Sequence, residues 1–280
     1  MSSALIVEGG GLRGLYGAGV IDFLSEKNIF FETLIGVSMG ACNLANFASN
    51  QPKRNFSLPF RFIDDGRYLS YKRWLMGGDL FGMKFIFETI PTELDIFDYN
   101  AFCNRKSRFF IVVTECESGE AAYFDRFDSQ EDFTQILKAS CSLPFAAKTV
   151  HYRGKTFLDG GISDPIPLRF AQKQGAKKMV FILTQSKEYQ KSAMRFTSLL
   201  KFFYPAALVK ALKNRHELYN ETVLEINRLE KDEKIFAIRP SSSLPAGRIE
   251  RDKKKLKATY GQGYLDIQSM YEKLAHYLEI

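Results

Sequence analysis

At 280 residues the chain has the length of one large domain or two modest ones. Its 45% hydrophobic and 25% charged content match globular averages, which excludes wholesale disorder and low-complexity architecture. Lysine and arginine outnumber the acids 39 to 32, a formal net charge of +7 that suits an anionic partner such as phospholipid or nucleic acid without choosing between them.

No apolar run approaches the ~20 residues of a membrane span. The opening MSSALIVEGGG has no basic stretch before its apolar residues, so no secretory signal is expected and a cytoplasmic location is. Cys42, Cys103, Cys116 and Cys141 lack CxxC spacing, which fits reduced, buried thiols better than a disulfide scaffold or zinc module.

In chain order, residues 4–7 form a short apolar run ending in glycines, and residues 15–27 carry Tyr16, Val20, Phe23 and Leu24 at helical spacing. Residues 31–37 are strand-like and 38–48 helical. This β-α-β-α opening predicts a parallel sheet covered by helices. Further strands are expected at 109–114 (FFIVVT), 121–124, 156–158, 179–184 (MVFILT) and 234–238. The unbroken apolar run FFIVVT fits a strand buried on both faces. No linker splits the series. The expectation is one α/β domain over residues 1–280, with its motif-bearing core in 4–170 and a helical and strand extension in 190–280 packed on it.

Two stretches interrupt the alternation. Residues 53–97 are crowded with aromatics (Phe56, Phe60, Phe62, Tyr68, Tyr71, Trp74, Phe81, Phe85, Phe87) without a clean period. This excess has no obvious job in a self-contained core, so the stretch is expected beside an apolar site. Residues 190–215 interleave Lys191, Arg195, Lys201, Lys210, Lys213 and Arg215 with Phe196, Leu199, Leu200, Phe203, Leu208 and Leu212, and Pro205 should divide them into two helices. Such a segment can lie on anionic lipid; more often it packs an apolar stripe on the core. The run RDKKKLK (251–257) reads as a solvated helix face, and no aromatic platform accompanies it, so nucleic acid is not an expected partner.

Chemistry concentrates at glycines. Gly9, Gly10, Gly11, Leu12, Arg13 and Gly14 join a strand to a helix, where free peptide N–H groups can face an anion. The run satisfies GxGxxG, but the acid a dinucleotide site needs at the end of the second strand is absent there: that position holds Gly36 and Ser38, while Glu32 stands at the strand's start. Gly36-Val37-Ser38-Met39-Gly40 is a GxSxG in strand–turn–helix context, where small residues two positions either side of the serine let the turn close sharply. In a parallel β-α-β unit both turns lie at the carboxyl ends of adjacent strands, so the amides of Gly10 and Gly11 should fall close to the Ser38 hydroxyl. The three histidines, His151, His216 and His276, sit in polar or highly charged surroundings. Asp159, followed by Gly160 and Gly161 after a short apolar strand, is the better candidate base.

GGGLRG, GVSMG, the block Ala139-Ser140-Cys141-Ser142-Leu143-Pro144-Phe145 and DGG, in that order over residues 9–167, resemble the patatin-like phospholipases. RYLSYKRWLMGGDLFG and IRPSSSLPAGR resemble a bacterial subgroup of that family. The resemblance implies a three-layer α/β/α fold with a mostly parallel sheet and a nucleophile elbow. It implies Ser38 as nucleophile, Asp159 as general base, and the Gly9–Gly14 amides as oxyanion hole, in a dyad without histidine. DGG replaces the DGA of many members, and Glu8 the Asp of several; neither change touches a catalytic atom. The expected activity is phospholipase A or lysophospholipase-type ester hydrolysis without metal or other cofactor, on phospholipid or another acyl ester, with peripheral contact to a membrane surface. Two alternatives stand beside it: a nucleotide- or acyl-binding module without turnover, and an esterase for small soluble esters. Nothing in the pattern specifies an oligomeric state.

Overall fold

The computed structural model describes residues 2–194 and 197–280. Of the cationic stretch, Arg195 and Phe196 lie outside the described residues, as does the side chain of Leu199. Eight strands form one sheet: β1 (Ser3–Val7), β2 (Thr33–Val37), β3 (Arg108–Glu115), β4 (Ala121–Phe124), β5 (Val150–Tyr152), β6 (Lys155–Asp159), β7 (Lys178–Ile182) and β8 (Phe236–Ile238). Hydrogen-bonded neighbours run β5-β6-β3-β2-β1-β7-β8, with β4 also paired to β3. The run from β3 to β8 is parallel, whereas β4, β5 and β6 join antiparallel. The FFIVVT strand is buried throughout on both faces, as its composition requires.

Helices cover the sheet on both sides, giving the three-layer α/β/α architecture. On one face Leu5 and Val7 of β1 pack with α1 (Leu15–Glu26), α2 (Met39–Ala48), α6 (Gln130–Ser140) and α9 (Lys253–Leu278). On the other, Ala4 and Ile6 meet α7 (Leu168–Lys173) and α8 (Ala206–Lys231), whose Tyr219, Val223, Ile226 and Leu229 repeat at helical spacing. The period-2 alternation of β1 thus feeds two cores. α9 crosses α1 where Gly19 and Gly263 bring the two backbones together: a Cβ on either would run into a carbonyl of the other helix. Tyr260 and Tyr264 reinforce the seam through Asp22 (2.5 Å) and Glu26 (2.6 Å).

Three expectations need correction. Much of the aromatic stretch serves the core: Phe62, Tyr68, Phe85 and Phe87 are buried beneath α3 (Arg54–Phe62) and a π-helical segment (Phe85–Leu94), while Tyr71 and Trp74 on α4 (Tyr71–Leu75) face solvent. Among the described residues, those before Pro205 in the cationic stretch form no α-helix. Of the described residues there, 190–194 are irregular and Thr197–Phe202 form a 3-10 turn, and only after Pro205 does α8 begin, because proline's fixed φ and missing N–H suit a helix start. Among the free cysteines only Cys116 is buried; Cys42 and Cys141 are half-buried, and Cys103, ending α5 (Tyr99–Cys103), is exposed.

Candidate active site

Sheet register brings the two sequence-selected side chains together. Val112 and Val113 of β3 both pair with β4 on one side. Strand β2, whose Val37 pairs with Val112, and β6, whose Asp159 pairs with Val113, must therefore share the opposite edge. Ser38 follows the last residue of β2, and Asp159 is the last of β6, so they meet where one neighbour of β3 gives way to the other.

Ser38 itself adopts φ 55° and ψ −128°, a left-handed conformation that a side chain enters only when its surroundings impose it. Those surroundings are explicit. A Cβ on Gly36 would collide with the Ala41 backbone, and one on Gly40 with the Val7 carbonyl, so the turn closes only with glycine at both positions. The Ser38 N–H donates to Ser140 Oγ at 2.8 Å, and that hydroxyl donates to the Val112 carbonyl at 2.7 Å.

The glycine loop approaches from β1. Its flanks are tied down: Glu8 N–H donates to the Ile182 carbonyl (3.0 Å) and Leu12 N–H to the Arg248 carbonyl (3.1 Å). Between them the Gly9, Gly10 and Gly11 amides have no internal acceptor among the described residues. Gly11 has φ 57°, and a Cβ there would stand 2.6 Å from the Arg248 carbonyl oxygen, so both backbone and space require glycine. Leu12 and Gly14 are buried behind the loop, where the Gly14 carbonyl accepts from Asn43 Nδ2 at 2.8 Å.

Asp159 is buried, with every attachment accounted for except one. Its N–H donates to the Ser142 carbonyl (2.9 Å), its carbonyl accepts from Thr114 Oγ1 (2.9 Å), and its Oδ1 accepts from Gly161 N–H (2.8 Å). Its Oδ2 has no partner of full hydrogen-bond geometry among the described residues; the nearby Ser38 hydroxyl is close enough to favour the charged carboxylate without completing that bond. Burial pushes the Asp159 pKa above the ordinary carboxylate value, while Ser38, Arg215, the Gly161 amide and Arg248 pull against it. Gly160 packs beneath, under the Val112 carbonyl.

A cleft is lined by Gly9, Gly10, Gly11, Arg13, Ser38, Asp159 and Gly161 together with Glu8, Leu143, Lys191, Arg215, Tyr219 and Arg248. Glu8 Oε2 accepts from Thr184 N–H at 2.7 Å. Burial, with Arg215 and Arg248 nearby, lowers the Lys191 pKa to about 7. Desolvation likewise lowers Arg13 and Arg215. None of the three histidines lines the cleft; His151 and His276 are exposed, and His216 lies on α8 with Nδ1 against the Lys213 carbonyl.

The cleft residues absent from the sequence reading of the site are informative. Ser140 and Ser142 belong to the ASCSLPF block and hold Ser38 and Asp159 respectively; the block was visible, its role as a spacer was not. Lys191 and Arg215 were read as part of a surface segment. Arg248 carried no signal beyond its place at the end of IRPSSSLPAGR. Among the described residues no group of three or more His, Cys, Asp or Glu could hold a metal ion.

A strained serine at a β2–α2 elbow, a buried carboxylate beside it and a loop of unused amides thus converge at one sheet edge of an α/β/α fold. Residues 5–171 match the patatin-like phospholipase family, and the chain belongs to that family. Residues 205–279 match a second family described as a domain of unknown function, DUF6363. The chain is 28% identical over 249 residues to the protein named YjjU of Escherichia coli (strain K12), spanning 86% of this chain and 69% of that one. It is 25% identical over 189 residues to a protein named probable lipid hydrolase 463L of Invertebrate iridescent virus 6, spanning 62% and 64% of the two. The crystal structure of VipD from Legionella pneumophila shares the fold, with a TM-score of 0.52 over 96% of this chain and 67% of its own at 13% identity.

Proposed function

We propose that the protein is a lipid acyl hydrolase that cleaves carboxylic esters with Ser38 as nucleophile and Asp159 as general base. The observation that carries this reading is the Ser38 conformation, held at φ 55° beside a buried carboxylate whose Oδ2 is unpartnered. Asp159 Oδ2 takes the Ser38 proton as Oγ attacks the ester carbonyl, and the free amides of the Gly9–Gly14 loop receive the oxyanion. The protonated Asp159 gives that proton to the leaving oxygen, which departs as the alcohol, and the restored carboxylate then takes a proton from water as it attacks the acyl-serine and releases the fatty acid. Family membership and the relative named as a lipid hydrolase support the substrate class.

A rim of exposed apolar side chains supports lipid over small soluble esters. Leu143 lines the cleft, and two residues on Phe145 projects at the surface with φ 64°. Its N–H donates to Tyr204 Oη (3.0 Å), its carbonyl accepts from Trp74 Nε1 (2.7 Å), and its ring packs edge-on against Phe203. Leu75, Met76, Phe202 and Phe203 are each about 70–80% exposed around this junction. Lys201, Lys210 and Lys213 are exposed nearby in sequence and give the surface a positive sign. Among the described residues no helix is long and apolar enough to cross a membrane, so contact with lipid is proposed at this rim.

Incubation with a fluorophosphonate probe tests the reading. Stoichiometric labelling of folded wild type at Ser38, and hydrolysis of lipid esters lost in Ser38→Ala, are expected. Folded protein that neither labels nor turns over any ester would return the glycine loop to a binding role.

A further inference from the structure

Arg13, Lys191, Arg215 and Arg248 line the same cleft as Ser38 and Asp159, with Glu8 and Asp159 the only acids among the lining residues and no salt bridge to any of the four among the described residues. By contrast, Arg54 and Arg239, the side chains of which are about nine-tenths buried, pair with Asp95 and Glu230, each at 3.1 Å. The cleft's two carboxylates are already committed, Glu8 to Thr184 N–H and the Oδ1 of Asp159 to Gly161 N–H. Three arginines and a lysine that is partly charged near neutral pH face two acids, so the cleft carries a net positive charge. Such crowding is costly without an anion to meet it.

The cations are positioned rather than loose. Arg215 donates from Nε to the Gly161 carbonyl, which sets its guanidinium two residues beyond the β6 terminus and leaves both Nη groups without a partner among the described residues. The Lys191 backbone is clasped by Asn220 of α8 through two hydrogen bonds (2.8 and 3.0 Å), with Nζ 4.3 Å from the Tyr219 ring centroid. Arg248 is fixed through its carbonyl, which accepts from Leu12 of the glycine loop. Arg13 donates from Nη1 to the Gln185 amide oxygen at 2.7 Å, in the orientation that satisfies that amide, and its buried Nε has no partner. Four separate segments of the chain thus deliver cationic donors to one place.

We propose that Arg13, Lys191, Arg215 and Arg248 form a phosphate subsite, so that the preferred substrate is an acyl ester carrying its own phosphomonoester close to the scissile bond, as in a monoacylglycerol phosphate. This rests on the reading of Ser38 as an ester-cleaving nucleophile. A phosphomonoester, with a second pKa near 6, brings close to two negative charges at neutral pH and complements that net positive charge. Its three terminal oxygens suit the planar forks of three arginines and one ammonium. A choline-bearing diester brings one negative charge and a cation of its own, and an uncharged monoacylglycerol brings neither. Because the cations line the same cleft as Ser38, the phosphate would lie close to the scissile ester. A bound dianion also restores the charged form of Lys191, which burial and its cationic neighbours hold at a pKa of about 7.

The test uses three esters of one short acyl chain, all below their critical micelle concentrations: a monoacylglycerol phosphate, its phosphocholine diester and the uncharged monoacylglycerol. Wild type is expected to show kcat/KM at least about tenfold higher for the phosphomonoester than for the uncharged ester, the loss typical of one charge-assisted hydrogen bond. Lys191→Gln and Arg248→Gln should each collapse that ratio toward one, and Lys191→Arg should restore it. Inorganic phosphate should compete with the uncharged ester in wild type and lose potency in Lys191→Gln. Equal or better turnover of the uncharged ester by wild type overturns the subsite and leaves the hydrolase reading standing. Phosphate inhibition without preference for the phosphomonoester assigns the cations to a free anion and overturns the substrate assignment. No turnover of any of the three esters by folded wild type overturns both readings.

Discussion

The cleft is lined by two regions that solve the placement problem differently. Residues 8–40 and 139–161 shape it with backbone: unused amides at Gly9–Gly11, an elbow that closes only over Gly36 and Gly40, and an aspartate fixed through its own N–H, carbonyl and Oδ1. Lys191, Arg215 and Arg248 shape it with the ends of long side chains carried by a loop after β7, by α8 and by the segment before α9. Backbone placement leaves little latitude, because an added Cβ at Gly11, Gly36 or Gly40 meets a carbonyl or another main-chain segment. Side-chain placement leaves much, because a lysine or arginine can be shortened or neutralised without moving the sheet. The first region is suited to steps common to every substrate, the second to telling substrates apart.

The largest expected effect breaks the first region. Asp159→Asn should abolish turnover as thoroughly as Ser38→Ala, each lowering kcat by about 10⁴ or more, because an amide cannot accept the proton. Alanine at His151, His216 or His276 should leave most activity in place, since none lines the cleft. A loss of about a hundredfold from any of the three, measured as kcat on one ester, reassigns the base.

Next in size is the loop itself. A Cβ on Gly10 would meet Thr184 side-chain atoms from 3.1 Å, whereas one on Gly11 meets the Arg248 carbonyl at 2.6 Å. Gly10→Ala should cut kcat about a hundredfold with a smaller fall in melting temperature than Gly11→Ala, which strikes the Arg248 attachment as well. If Gly10→Ala keeps full activity, the free amides are only a turn.

The two regions touch at Arg215, and there the comparison sharpens. Burial raises the Asp159 pKa and Arg215 opposes that rise. Asp159 must be ionised to act as base, so activity falls as pH drops through its pKa, and this acid limb should lie above the ordinary carboxylate range. Arg215→Gln removes an opposing charge, so the limb should move to higher pH in kcat/KM profiles. A limb that stays in place means Arg215 acts on ligand alone.

The smallest effect is expected farthest out. Attraction between surface lysines and anionic lipid is screened within about 10 Å at 0.1 M salt. Activity on anionic vesicles should therefore fall as salt rises, while a short soluble ester barely responds. Reversing Lys201, Lys210 and Lys213 to Glu should reproduce that loss at low salt. Equal salt sensitivity for both substrates would make α8 scaffold and favour an esterase for small soluble esters.

The difference between the regions also explains what could be read in advance. Strands β1, β2, β3 and β7 are near-continuous apolar runs because both their faces are covered, and the elbow writes glycine at fixed offsets from Ser38 because nothing else fits. Those constraints are local, so residue spacing records them. The convergence of Lys191, Arg215 and Arg248 depends on how α8 and α9 dock, and no spacing records that. Lys191 and Arg215 were misread as surface charge for this reason, and the aromatics of 53–97 as a site lining when Phe62, Phe85 and Phe87 fill the core. Ser140 lay inside a recognised block, yet its hydrogen bond to the Ser38 N–H follows only from the register of β3 against β2.

The hydrogen bond from Leu12 to the Arg248 carbonyl has a consequence for how the protein is made. Ribosomes add about 5–20 residues per second, so roughly 10–50 s separate the synthesis of the glycine loop from that of its acceptor. Through that interval α1 also lacks the helix its Gly19 is shaped to receive. The sheet edge holding Ser38 and Asp159 is encoded by residues 33–159, well before the loop's last attachment exists. Vectorial synthesis therefore delivers the serine and its base first, and the attachment that fixes the loop beside them nearly last.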